Sequence, residues 1–297
     1  MLFYTKMLQL VAALAVLVAS AASTAAEAPL QLGVFPNLSP RVLMDTYQPL
    51  ANYLGHETGK KVELQSAPGF REFHLRTMAG DYDLVITAPH LAWLAWKRAG
   101  YRPLLAYNEP VKGLIVVRKD SPIKKLADLK GTRIATADAL AIVVLRMERM
   151  MEAAGLHEDR DFVCVDAGTH NNAALQAQLG QTDAAIVGAL PFRKLPEDVR
   201  NNLRVIAESA PMPSQVWLAG RTLTPQQETR LLRAANDYMN SATGRQFLAN
   251  GGFGGVHRLT RTELNQVAED AKRVERMVGG RLPSNMSGKP TAKGVNP

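Results

Sequence analysis

Short apolar runs alternate with longer stretches of helical periodicity from Leu30 almost to the end of the chain. Leu30-Gln31-Leu32-Gly33-Val34, Val62-Glu63-Leu64-Gln65, Asp83-Leu84-Val85-Ile86 and Leu104-Leu105-Ala106-Tyr107 read as strands. Residues 47–56, 70–79 and 90–99 read as helices, the last two stopped by Gly80 and Gly100 at the left-handed cap position. The cycle then restarts. Residues 114–117 and 133–136 are predicted strands, and 142–154 is a helix whose Met147, Met150, Met151 and Ala154 form a core-facing stripe. Residues 162–165, 184–187, 203–206 and 216–219 supply further strands. Two late helices open at Thr224-Pro225-Gln226-Gln227 and Thr260-Arg261-Thr262-Glu263, both with capping-box spacing.

This alternation predicts an α/β fold whose sheets are mainly parallel and flanked by helices. Proline-marked breaks at Asn108-Glu109-Pro110 and Ala210-Pro211-Met212-Pro213 divide it. They predict two lobes joined by two crossovers, one built from residues 27–108 plus 214–278 and the other from 109–213. Ligands of such sheets bind beyond the carboxyl ends of the strands. Two facing lobes enclose a small molecule in the cleft and close about a hinge.

The two ends read differently. In residues 1–26 Lys6 is the only charge, residues 8–18 are almost unbroken apolar, and Ser23-Thr24-Ala25-Ala26 is small, the layout of a cleavable signal peptide. The apolar run is short for a membrane span, which needs about 20 residues. A soluble protein of the periplasm is the expectation. Residues 279–297, rich in Gly, Pro, Ser and Lys, read as a disordered tail.

Charge narrows the partners. The formal net charge is +8, but Lys and Arg are interleaved with acids, as in Arg146-Met147-Glu148-Arg149 and Glu269-Asp270-Ala271-Lys272-Arg273. These read as solvated helix faces and not as a stripe that tracks phosphates, so nucleic acid is not an expected partner. A mild attraction for small anions remains. Cys164, the single cysteine, lies in Phe162-Val163-Cys164-Val165 and reads as an inert thiol packed on a buried strand. No serine elbow, His-Glu-x-x-His, phosphate loop or Cys-x-x-Cys occurs, which favours binding over catalysis. No catalytic residue, cofactor or metal is expected. His90, His170 and Cys164 lack any short ligand spacing.

Several elements together resemble one family. They are Pro49-Leu50-Ala51-Asn52-Tyr53-Leu54, residues 83–89, Val117-Arg118-Lys119-Asp120-Ser121-Pro122-Ile123, Leu126-Ala127-Asp128-Leu129-Lys130-Gly131, Thr169-His170-Asn171-Asn172-Ala173-Ala174-Leu175 and Asp183-Ala184-Ala185. From about Leu30 to Met277 the chain is similar to the periplasmic phosphate/phosphite/phosphonate-binding proteins of ABC transporters. That resemblance implies a two-lobed type II solute-binding fold, a small-molecule or oxyanion ligand, and a membrane permease as partner. It also implies that His170, flanked by Thr169 and Asn171, contacts the ligand.

The departures bear on the ligand. Where the family has a Ser-Thr-Ser-Gly turn that cradles phosphoryl oxygens at a helix start, this chain has Ala141-Ile142-Val143-Val144. The family's Gly-Pro-x-Ser-Tyr element becomes Ala88-Pro89-His90-Leu91-Ala92, and an expected acidic or amide residue is Gly188. Simple phosphate and phosphonates are therefore expected to bind weakly. His90 follows strand three and can look into the cleft or be a solvent-facing histidine. Asn37 and Ser39 in the loop after strand one can donate to a ligand or simply shape the turn. Arg41 can form a fork on an oxyanion or be solvated. Trp93 and Trp96 read as packing residues. An alternative role is to present a solute to a periplasmic sensor domain of a kinase or chemoreceptor, with no transport.

Overall fold

A computed structural model describes residues 28–279. The expected signal peptide and nearly all of the expected tail lie outside the described residues. Eleven strands form two sheets among the described residues. The first has the order β11-β4-β10-β3-β1-β2, from β1 (Leu30–Val34), β2 (Val62–Gln65), β3 (Leu84–Thr87), β4 (Arg102–Tyr107), β10 (Val216–Ala219) and β11 (Val256–Arg258). The second has the order β7-β6-β8-β5-β9, from β5 (Gly113–Arg118), β6 (Thr132–Thr136), β7 (Phe162–Asp166), β8 (Ala184–Gly188) and β9 (Leu203–Glu208).

Both sheets are mixed, for a reason that the crossovers supply. β1 is parallel to β2 and β3, and β6 is parallel to β7 and β8. A chain arriving from the other lobe enters at the carboxyl edge of these strands, so its first strand must run backwards. β10 starts where β3 ends, Val216 opposite Thr87, and β5 starts where β8 ends, Gly113 opposite Gly188. The two crossover segments pair with each other. Val111 N–H donates to Met212 O at 2.9 Å and Met212 N–H to Val111 O at 2.8 Å. The carboxyl ends of β1, β3, β6 and β8 therefore lie on the side where the chain crosses between the sheets.

Helices cover the sheets. α1 (Pro40–Thr58), α8 (Pro225–Asn240) and α9 (Ala242–Gly251) bury one side of the first sheet over Tyr47, Tyr107, Trp217, Tyr238 and Phe247. α2 (Phe70–Ala79) and α3 (Pro89–Ala99) cover the other side; both end at a left-handed glycine, Gly80 (φ 90°) and Gly100 (φ 72°). In the second lobe α4 (Ile142–Ala153) buries Met147 and Met151, and α5 (His170–Gln178), α6 (Ala189–Arg193) and α7 (Glu197–Asn201) follow. α10 (Arg261–Asn265) and α11 (Ala268–Gly279) return to α3, and α11 also touches α4. No described helix is long and apolar enough to cross a membrane.

Some local expectations change. β7 lies at a sheet edge, so only one of its faces is covered: Cys164 is half-buried and its neighbour Val163 is exposed. The box at Thr224 is complete. At Thr260 the hydroxyl accepts the Glu263 N–H, but the Glu263 carboxylate turns to His257 Nε2 at 3.0 Å.

The larger correction concerns the interleaved charges. Arg146, Glu148, Arg149, Asp270 and Arg273 meet across the lobes, whereas Glu269 and Lys272 pair with each other on the exposed face. Arg146 contacts the completely buried Asp270 at 2.6 Å, and Arg149 reaches it at 3.4 Å. Arg273 of α11 pairs with Glu148 at 2.9 Å and Glu152 at 3.1 Å on α4. The alternating signs on α4 complement those on α11, so each helix supplies the counter-charges the other needs to be buried. Around this seam one apolar cluster runs from Phe73, Leu91 and Val274 in the first lobe to Val144, Met147 and Ile186 in the second.

Arg146→Ala leaves Asp270 with Arg149, and the expected loss is about 2–4 kcal/mol by urea unfolding, below the roughly 3–5 kcal/mol of a buried charge stripped of every partner. Glu148 gives a pH signature. Burial, reinforced by the negative charge of Glu158, pushes its carboxyl up to about 7 against an opposing pull from Arg273. A carboxyl raised in the folded state stabilises fully below its unfolded value near 4.5 and loses that contribution as pH rises through about 7. Glu148→Gln should flatten this fall of melting temperature between those two pH values; an unchanged slope would assign the fall to another group.

Candidate functional site

The lobes meet where strand ends and helix starts come together. On the first lobe, Pro89 at N1 suits α3, because an N1 amide has no partner within the helix. His90 follows and is completely buried. Its Nε2 lies 2.8 Å from the carbonyl oxygen of Leu140 in the second lobe. A carbonyl only accepts, so Nε2 carries the proton. Burial drives this imidazole down to about 3, hence neutral, which leaves Nδ1 as an acceptor. That Nδ1 is sealed from solvent and has no partner among the described residues. The same holds for Oγ1 of the buried Thr87, at the end of β3, and for Oδ1 of Asn37, beyond the end of β1. β1 and β3 are neighbours, Val34 opposite Ile86, so these three residues belong to one edge.

On the second lobe, Asp138 follows β6. Its carboxylate accepts the Leu140 N–H at 2.7 Å and lies near the backbone N–H of Phe70, the first residue of α2 in the other lobe. Gly69, which precedes α2, has no side chain to cap that helix. Burial holds the Asp138 carboxyl above the ordinary range. Ala141 caps α4 without a side-chain acceptor. Ala141, Ile142, Val143 and Val144 are all buried in the same apolar cluster as Phe35, Phe70 and Leu91. Where the resemblance implied a polar cradle, the chain has packed core.

His170 stands at the start of α5, whose cap Thr169 accepts the Asn172 N–H at 3.1 Å. It is half-buried, and desolvation alone pushes its imidazole down to about 4. Nδ1 has no described partner, and Nε2 is 3.8 Å from where a Cβ on Gly188 would stand. That Cβ would lie 3.1 Å from the Pro191 ring, so Pro191 must give way before any side chain fits there.

The remaining candidates sit elsewhere. Arg41 does not point a fork into the cleft: its side chain is 93% exposed and pairs at 3.8 Å with Asp45 one turn along α1. Ser39 is the exposed cap residue of α1, and its side chain makes no capping bond. Asn171 is exposed. Trp93 packs and donates to Asn265 Oδ1 at 3.0 Å, while Lys97 covers the Trp96 ring. Glu148, Glu158 and Cys164 bring one ligand atom each within 4.8 Å, but Arg273 already neutralises Glu148 and burial pushes the thiol well up.

Arg146 near His90 is held by Asp270, whereas Arg71, exposed beside Asp138, donates to the Met277 carbonyl at 3.3 Å and has no acidic partner among the described residues. Sequence reasoning missed Thr87, Asp138 and Leu140. Asp138 and Thr87 stood at strand ends, a position that could have flagged them.

Known proteins match this arrangement. A family model described as the periplasmic phosphonate substrate-binding protein of ABC transporters fits residues 32–264. PhnD1 from Prochlorococcus marinus, solved with methylphosphonate, superposes with a TM-score of 0.75 at 15% identity, covering 83% of this chain and 98% of that one. A binding protein component of an ABC phosphonate transporter from Pseudomonas aeruginosa gives 0.73 at 18%, covering 87% and 91%. A Xanthomonas citri protein bound to ATP gives 0.70 at 20%, covering 84% and 98%. At these identities the likeness to solved structures is one of fold.

His90→Leu would fill the volume but leave the Leu140 carbonyl without its donor. The expected cost is about 1–3 kcal/mol, measured as the shift of a urea unfolding curve. No shift would mean that the bond across the lobes contributes nothing.

Proposed function

Because the chain belongs to the family of periplasmic phosphonate substrate-binding proteins of ABC transporters, we propose that it is exported, takes up a small solute between lobes of residues 27–108 plus 214–278 and 109–213, and delivers it to a membrane permease. Family and fold are those of non-enzymatic solute-binding proteins. We read this chain the same way.

The observation that carries the site is the set of sealed, unpartnered polar atoms at the lobe junction, Thr87 Oγ1, Asn37 Oδ1 and His90 Nδ1. Leaving such an atom unpaired costs about 1–3 kcal/mol, so a bound solute that pairs with them gains what the empty protein forgoes. His170 is included as a contact from the second lobe, and Ser39 and Thr169 shape the loops beside it. Arg41 and Asn171 are left out. Nothing observed favours a sensor-domain partner.

The test is capture. The mature protein, stripped by mild denaturation and refolded, is exposed to a small-molecule extract of its source cells, washed, and denatured for mass spectrometry. One solute near equimolar amount is expected, and His170→Ala should lower its affinity at least about tenfold, or about 1.4 kcal/mol. An empty protein would sink the reading; undiminished capture by His170→Ala would remove that residue from the site.

A further inference from the structure

We propose that α10 and α11 form a strap that clasps the two lobes through the chain's own side chains. The lobes then stay together in the empty protein, and a solute enters only when the strap lets go. The part about solute entry rests on the solute-binding reading; the clasp itself does not.

The strap can hold two bodies because α11 has three faces. Residues three and four apart lie on the same side of a helix. Glu269, Lys272 and Arg276 share one such side and are exposed. Ala271, Val274 and Val278 share another, are buried, and enter the apolar cluster that draws on both lobes. Asp270 and Arg273 share the third, which meets α4.

Polar ties from the first lobe grip the strap near its two ends. Trp93 of α3 donates to Asn265 Oδ1 at 3.0 Å, and Arg98 of α3 holds the Glu275 carboxylate at 2.7 and 3.2 Å. The second lobe grips the middle. Arg146 donates to the Gln266 carbonyl at 3.0 Å and shares Asp270 with Arg149, while Glu148 and Glu152 share Arg273. All of these groups belong to the chain, so none of the contacts waits for a solute.

Separating α4 from α11 would break these ion pairs together. Asp270 and Glu148 are the costly members, because a buried carboxylate that loses its partner must be rehydrated or protonated. Near the crossovers the lobes touch again. Lys194 donates to the Asn250 carbonyl, and Leu190 lies so close to Gly252 that a Cβ there would stand 2.6 Å from it. An open form is therefore a minor species, and solute entry proceeds through it.

The test is the distance between the lobes in protein freed of solute. In a Cys164→Ser background, Asn52→Cys on α1 and Asn201→Cys on α7, both exposed, carry nitroxide labels for pulsed electron spin resonance. The mature protein, stripped by mild denaturation and refolded, should give one narrow distance, the same as before stripping. Arg146→Gln combined with Arg273→Gln should add a second, separate distance. That variant is measured at pH 6, where Glu148, raised by burial to about 7, is protonated and needs no counter-charge. Two distances in the stripped wild type, or a single unchanged distance in the folded variant, would overturn the proposal. If the variant does not fold, hydrogen exchange of the stripped wild type decides. The buried amides of α11 should exchange in step with those of α3 and α4, and exchange more than about tenfold faster would show that the lobes are held without the strap. Neither readout uses a solute, so an empty capture would fail the solute-binding reading and leave the clasp standing.

Discussion

The packing of α4 against α11 is the constraint on which the rest of the molecule depends. Asp270 has no access to water and is stable there only because Arg146 and Arg149 reach it from the other lobe. Arg273 answers Glu148 and Glu152 in the reverse sense. Buried ion pairs seldom add much to stability over an apolar isostere, but they are unforgiving of misplacement, because a shifted partner leaves a bare charge in the interior. They therefore fix the lateral position of α4. Since α4 begins with the segment 141–144, they also fix what the second lobe presents to the cleft.

From that placement the chemistry of the cleft follows. The start of α4 meets α3 closely enough for the Leu140 carbonyl to accept a hydrogen bond from His90 Nε2–H. Water is squeezed out, and its loss sets the titration behaviour. Both cleft histidines are held neutral by desolvation, and the Asp138 carboxyl is raised although it accepts backbone N–H groups. The family of periplasmic phosphonate substrate-binding proteins is represented here by a junction whose walls are largely apolar.

Much of the framework is legible in the chain itself. A strand's two-residue period and a helix's three-to-four-residue stripe are local properties, so β1 to β10 and the Met147–Met151 stripe can be placed from neighbours alone. The crossovers at Pro110 and Pro211 are legible because proline interrupts both periods. Within the candidate site, His90, Asn37 and His170 could be singled out by their place after a strand or at a helix start. Their tautomers, burial and missing partners could not, since those depend on Leu140 and Gly188, some 50 and 18 residues away.

The sequence by itself determined the elements, their order, the two-lobed α/β class and the absence of the family's hydroxyl cradle, because each is written in residue types at short spacing. Only the tertiary structure decided that Arg146-Met147-Glu148-Arg149 and Glu269-Asp270-Ala271-Lys272-Arg273 face each other. Either segment alone is indistinguishable from a solvated helix face, and the difference lies entirely in whether a complementary surface arrives. Asp138 is the same case: beside a strand end it is an ordinary turn residue, and only the packing of the second lobe against the start of α2 buries its carboxyl.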